Sequence, residues 1–227
     1  MRVGIKLLLV AAAVLAAGLL IGFYVSHLTT LMGSPAYSVP VSGTPSHPVV
    51  NLQIQTVAAV GPKLSQNPDW VSYLIRNQSG QWKRETVWNL PANATVHVTI
   101  FNFDGASGLR NPYFGRPQGM IGNKILVDGK LTTAIDPNDA SHTFAVPALG
   151  LILAVPGVAD DAKNQCGYAP CPMSNAHRTI KFTFRTPTKP GHFRWQCFVP
   201  CAAGWVFGFG GPMQTIGYMD GFLNVRA

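Results

Sequence analysis

FRWQCFVPCAAGWVFGFGGPMQTIGYMDGFLNV, residues 193–225, decides how this chain is read. Phe193, Trp195 and Cys197 alternate with Arg194 and Gln196, the period of a strand with one buried face. Cys201 follows four residues after Cys197, then a glycine-rich run, then a last strand-like stretch ending FLNV. Two sulfurs thus stand where a strand ends and a long connection begins. No histidine lies between Cys197 and the end of the chain, so any imidazole that joins these sulfurs must come from another part of the fold.

Outward from this tail the same period recurs. VVNLQIQTV (49–57), WVSYLI (70–75), the segment around Glu85 to Trp88, ATVHVTIFNF (94–103), SHTFAV (141–146), TIKFTFRT (179–186), HFRWQC (192–197) and FLNV (222–225) read as strands. In the fourth of these Val96, Val98 and Ile100 share one face, which turns His97 outward with Thr95 and Thr99. Residues 104–123 carry repeated turn signals and read as a loop. Charged residues make up only 11% of the chain, while glycine (23) and proline (18) abound, the composition of many short strands joined by turns. The expectation is an all-β, antiparallel sandwich or barrel.

The N-terminus is different. Leu7 to Val25 is an uncharged apolar run without proline, long enough for a bilayer core of about 30 Å. Arg2 and Lys6 precede it and predict that end in the cytoplasm and the rest outside. A cleaved signal peptide is the competing reading. SPA at 34–36 would set proline next to the cut, and the run is long for a signal core, so a single-pass anchor over residues 1–28 is expected. The lack of a cysteine at its end excludes a lipoprotein anchor. GSPAYSVPVSGTPSHP (33–48) reads as an extended linker, within an expected linker of residues 29–49, with His47 solvated. Residues 50–227 form the expected β domain.

The net charge is +8, or +6 with Arg2 and Lys6 set aside. That excess favours an acidic partner or anionic headgroups; the basic residues are scattered, and a nucleic-acid partner is not expected. All four cysteines lie beyond residue 165. In an oxidising compartment Cys166 and Cys171, which bracket GYAP, are expected to form a local disulfide. Cys197 and Cys201 stay open at this point.

A second stretch, DASHTFAVPALGLILAVPG (139–157), supplies the missing imidazole. Asp139, His142, Thr143, Phe144, Val146, Pro147, Leu149, Gly150, Pro156 and Gly157 there, with Gln196, Cys197 and Cys201 in the tail, resemble the copper domain of cytochrome c oxidase subunit II, a cupredoxin. The resemblance runs from roughly residue 90 to the end. It implies a cupredoxin-like Greek-key β-sandwich, with one ligand histidine from a mid-chain strand and the other ligands from the last loop. Where the two-copper pattern carries a second histidine and a methionine, this chain has Trp205 and Gly208, which speaks against an ordinary binuclear centre. Met219, Gly221, Leu223 and Val225 match the ending of blue-copper loops instead.

The resemblance therefore implies a copper site of His142, Cys197, Cys201 and Met219. His, Cys, Cys and Met form a soft set that favours Cu(I). His192 stands five residues before Cys197 and faces the other side of a regular strand; Met213 is a second thioether candidate with a poorer match to the blue-copper ending, a packed core methionine being the other reading. The implied role is single-electron transfer in a respiratory chain, with a redox partner or terminal oxidase complex and no substrate pocket. Two other classes stay open. One is a metal-free accessory subunit, in which Cys197 and Cys201 are bonded, or Cys201 bonds a cysteine of the 166–171 insertion, and Trp205 fills the site. The other is a Cu(I) storage or delivery protein. A cysteine nucleophile with His142 as base is a weaker reading, and GFGG (208–211), with no helix after it, reads as a turn.

Overall fold

The computed structural model describes residues 3–32, 36–64, 69–201 and 211–227. It divides into two units, a helix and a β domain. Helix α1 spans Val3–Met32, four residues beyond the expected anchor at its C-terminal end. Its segment Val3–Tyr24 has a mean hydropathy of 2.5 and is long and apolar enough to cross a membrane. The SPA stretch, which speaks against cleavage, begins outside the described residues.

Among the described residues of the β domain there are fourteen strands. In chain order the first seven are β1 (Tyr37–Ser38), β2 (Val41–Thr44), β3 (His47–Val57), β4 (Ser72–Arg76), β5 (Trp82–Lys83), β6 (Val87–Pro91) and β7 (Thr95–Asn102). The others are β8 (Ile125–Val127), β9 (Lys130–Thr132), β10 (Ala140–Val146), β11 (Leu151–Pro156), β12 (Arg178–Arg185), β13 (Gly191–Gln196) and β14 (Asp220–Arg226). One sheet runs β1-β6-β14-β13-β10-β11 and the other β5-β4-β3-β7-β12-β8-β9, with β2 beside β3. Val50, Leu52 and Ile54 of β3 and Val96, Val98 and Ile100 of β7 meet Trp88, Phe144 and Trp195 of the first sheet in one core. This is the all-β sandwich, preceded by one helix, that the strand periods predict.

Three differences matter. The expected linker over residues 29–49 is partly built into the sandwich: β1 pairs with β6, β2 forms a hairpin with β3, and β3 itself starts at His47. Polar and proline-rich composition marks solvent exposure, and β2 is exposed along its whole length, but an edge strand is exposed too. Next, β1/β6, β14/β6 and β3/β7 are parallel, where an antiparallel arrangement is expected, because side-chain alternation carries no strand direction. Lastly, β11 is a continuous apolar run with nearly every residue buried, which period 2 does not reveal.

His97 points outward, with Nδ1 2.9 Å from Thr183 Oγ1 on β12. Cys166 and Cys171 are bonded to each other. Their loop docks on β3 through Gln55, whose side-chain amide donates to the Cys171 carbonyl (2.8 Å) and accepts its N–H (3.1 Å). A buried side chain here completes a backbone pair in the way a neighbouring strand does, beside a second, smaller core of Val57, Leu74, Phe103 and Tyr218. Replacing both cysteines by serine is expected to cost about 2 kcal/mol for so short a loop, read by urea unfolding, with the Cys197 region unchanged.

Candidate metal centre

Each donor is placed by a short piece of local structure. On β10, His142 shares the inward face with Phe144 and Val146, and an irregularity in the pairing with β11 between Ala140 and His142 marks the point where that face begins. On β13, Trp195 points inward and Cys197, two residues on, follows it. β10 and β13 are antiparallel neighbours through Ala145 and Gln196, so residues 142 and 197 fall at the same end of the sandwich. Beyond the strand the chain turns sharply. The Cys201 N–H donates to the Val199 carbonyl at 2.8 Å, closing a three-residue turn on Pro200, whose restricted φ suits its centre. That turn returns the second sulfur to the first.

His142, Cys197 and Cys201 each bring a donor atom to within 4.8 Å of the others, the one such cluster of three among the described residues. The two sulfurs lie 3.6 Å apart as free thiols, so neither the bonded Cys197–Cys201 pair nor a bridge to the 166–171 loop is present. One ion can span that gap: two bonds of about 2.3 Å reach across it at an angle of about 103°, close to tetrahedral. His142 and Cys197 are fully buried and Cys201 is half-buried. Both ring nitrogens of His142 lack an aligned hydrogen-bond partner. A buried imidazole in that state calls for a ligand. The residues present fit a metal.

Electrostatics point the same way. Burial alone would lower the His142 pKa, but Asp104 and Cys197 outweigh it and raise it to about 9. Burial likewise opposes a charge on Cys197, yet Cys201, His142 and the Thr143 N–H, which donates to the sulfur at 3.4 Å, hold its pKa well below that of an ordinary thiol. Cys201 is pushed well up, first by its hydrogen bond to Cys197 and then by its partial burial. The charges of this site thus favour an anionic Cys197 beside a protonated His142. Tyr73, whose pKa is raised by burial and by both cysteines, donates to the Thr143 carbonyl at 3.0 Å and lies with its ring 6.2 Å from that of His142.

Met219 is fully buried, and its carbonyl accepts the Cys197 N–H at 3.0 Å. This sets Met219 against the cluster through the backbone. Met213, the second thioether candidate, is buried in the core, and its carbonyl accepts from the Gln196 amide at 2.8 Å. His192 faces away, with Nδ1 2.7 Å from Asn224 Oδ1. Trp205, Gly208 and the first three residues of GFGG lie outside the described residues. Full burial of Cys197 leaves a nucleophile there no access to substrate.

One residue of the site has no signal in the sequence. Asp104, in the turn after β7, places Oδ2 3.2 Å from His142 Nε2. The contact is ionic in distance but off the line of the ring N–H.

No protein-family model matches the chain, and no curated protein matches it. Among solved structures it is similar to rusticyanin, described there as a copper protein, at 16% identity over 89% of this chain and 94% of that one, with a TM-score of 0.30. A structure of rusticyanin from Thiobacillus ferrooxidans is likewise 16% identical, over 88% and 93% of the two chains, with a TM-score of 0.30. Neither likeness is to an oxidase subunit.

Proposed function

We propose that this chain is a membrane-anchored copper protein that carries single electrons in a respiratory chain, beside a terminal oxidase or similar complex, in the manner of oxidase subunit II. The observation that supports this most is the donor cluster of His142, Cys197 and Cys201, buried, unbonded and spaced for one ion. Met219 completes the set as a thioether. Bound there, copper supplies one-electron chemistry between Cu(I) and Cu(II).

The chain's own residues prepare that site. His142 on β10 and Cys197 just past the end of its neighbour β13 are both fully buried, so the donors have little freedom to rearrange between two oxidation states. The surroundings of Cys197 favour its thiolate, and Cys201 and His142 would give up a proton to bind a cation. The Thr143 N–H on the Cys197 sulfur tunes its donor strength. Arg2 and Lys6 ahead of the apolar helix put the N-terminus in the cytoplasm and the β domain outside, and the Cys166–Cys171 bond suits an oxidising compartment. The positive excess of the β domain favours an acidic redox partner.

The test is direct. The full chain, purified in detergent and reduced, is loaded with copper and passed through a desalting column. Retained copper in fixed ratio to protein, with visible thiolate-to-copper absorption after oxidation, is the expected result. Copper at background in protein whose two thiols are still titratable would leave the metal-free accessory subunit as the reading.

A further inference from the structure

We infer that Asp104 is the residue that orients His142: its charge beside Nε2 favours the proton on that nitrogen, which leaves Nδ1 as the nitrogen offered to the two sulfurs. An imidazole has two ring nitrogens; rotation about its outer torsion exchanges each of them with a ring carbon, and in the neutral ring the proton can sit on either nitrogen. A buried ring bordered only by apolar atoms would have no preference. A carboxylate at 3.2 Å from one nitrogen creates one, and a carboxylate behind a ligating histidine both selects the tautomer and strengthens the other nitrogen as a donor.

The acid that neighbours His142 in sequence does not do this. Asp139, part of the motif around His142, is exposed; what it gives to this region is its carbonyl, which accepts the Gly157 N–H at 2.7 Å. Asp104 arrives instead from the opposite sheet.

Its position is over-determined. One carboxylate oxygen accepts the Gly105 N–H at 2.8 Å, which leaves the other for the imidazole. The Asp104 N–H donates to Asn102 Oδ1 (3.2 Å), and its carbonyl accepts from Asn102 Nδ2 (3.0 Å) and from the Val158 N–H (2.9 Å). Asn102 is itself fully buried; it donates to the Pro156 carbonyl at 2.8 Å and accepts from Thr56. The turn is therefore fastened to β7 in one sheet and to the end of β11 in the other. Gly157 makes this possible: a Cβ there would stand 2.4 Å from the Ala106 nitrogen. So rigid a carboxylate, 19% exposed on its side chain, is not a mobile surface acid that happens to lie nearby.

The contact stands on the structure alone, while its consequence for metal binding rests on the copper reading above. The experiment separates the two. The full chain, labelled with ¹⁵N-histidine and kept reduced, is examined metal-free at a pH high enough for the ring's own ¹⁵N shifts to show it neutral. Wild-type His142 is expected to be protonated on Nε2. Asp104→Ala is expected to show both tautomers and to bind Cu(I) about 10–100-fold more weakly, and Asp104→Asn, which keeps an acceptor without the charge, to restore the single tautomer. A wild-type ring protonated on Nδ1 overturns the inference. So does an Asp104→Ala protein with the wild-type tautomer and unchanged Cu(I) affinity. An Nε2 proton in wild type that is lost in Asp104→Ala, in a protein that takes up no copper, sustains the positioning role and removes the copper reading.

Discussion

Cys197→Ser is expected to leave the chain without copper and without thiolate-to-copper absorption, while its far-ultraviolet circular dichroism stays that of the wild type. The sulfur of Cys197 is the hub of the site: it lies 3.6 Å from Cys201, accepts the Thr143 N–H and is fully buried next to His142. Serine is nearly isosteric and can still accept that N–H, so β10 and β13 keep their pairing. Its hydroxyl is harder and is not ionised at neutral pH, so the soft donor set loses the sulfur whose surroundings most favour a thiolate. A different pattern would count against a metal centre. If the mature protein bonds Cys197 to Cys201, wild type and variant would both be copper-free, and the variant would unfold at lower urea for want of the bond.

The second large effect is structural. Gly221→Ala is expected to destabilise the domain by about 3–5 kcal/mol, from overpacking added to a lost buried hydrogen bond, measured as a fall in the urea midpoint. Gly221 pairs with Trp195 across β13 and β14, and the indole folds over it to donate to the Thr86 carbonyl at 3.0 Å. A Cβ at Gly221 would lie 1.8 Å from that carbonyl oxygen and 2.7 Å from the indole nitrogen. The backbone of β14 and the aromatic core would both have to move. Trp195 is stacked on Trp88 at 5.2 Å and edge-on to Tyr73 at 5.1 Å, so the displacement reaches the Tyr73 ring near His142. Gly217→Ala is the control. Gly217 has φ +91 but open space around its missing Cβ, and should cost only about 1 kcal/mol in backbone strain.

Gly221 also shows why the tail could be read at all. The spacing of Met219 and Gly221 belongs to a motif, and here the glycine is where a tryptophan of the neighbouring strand closes against a carbonyl. Local features of this kind were legible. The apolar helix, the inward faces of β7, β10 and β13, the outward His97 and His192, and the bond between two cysteines five residues apart all follow from patterns shorter than one strand or loop. Cys197 and Cys201 belong with these, since a Pro-centred turn is enough to bring their sulfurs together.

His142 needed the motif around it, because nothing in period 2 alone distinguishes a ligand from a buried polar residue. Asp104 could not be found in either way. Its place beside the imidazole depends on how β7 packs over β11, on the missing side chain of Gly157, and on a buried Asn102 that joins the two sheets. The entry of residues 37–44 into the sheets and the parallel pairs β3/β7 and β6/β14 are of the same kind. Alternation records which way a side chain faces along its own strand. Which strand lies next to it, in which direction, and which residue crosses from the opposite sheet are settled only when the two sheets close on a common core.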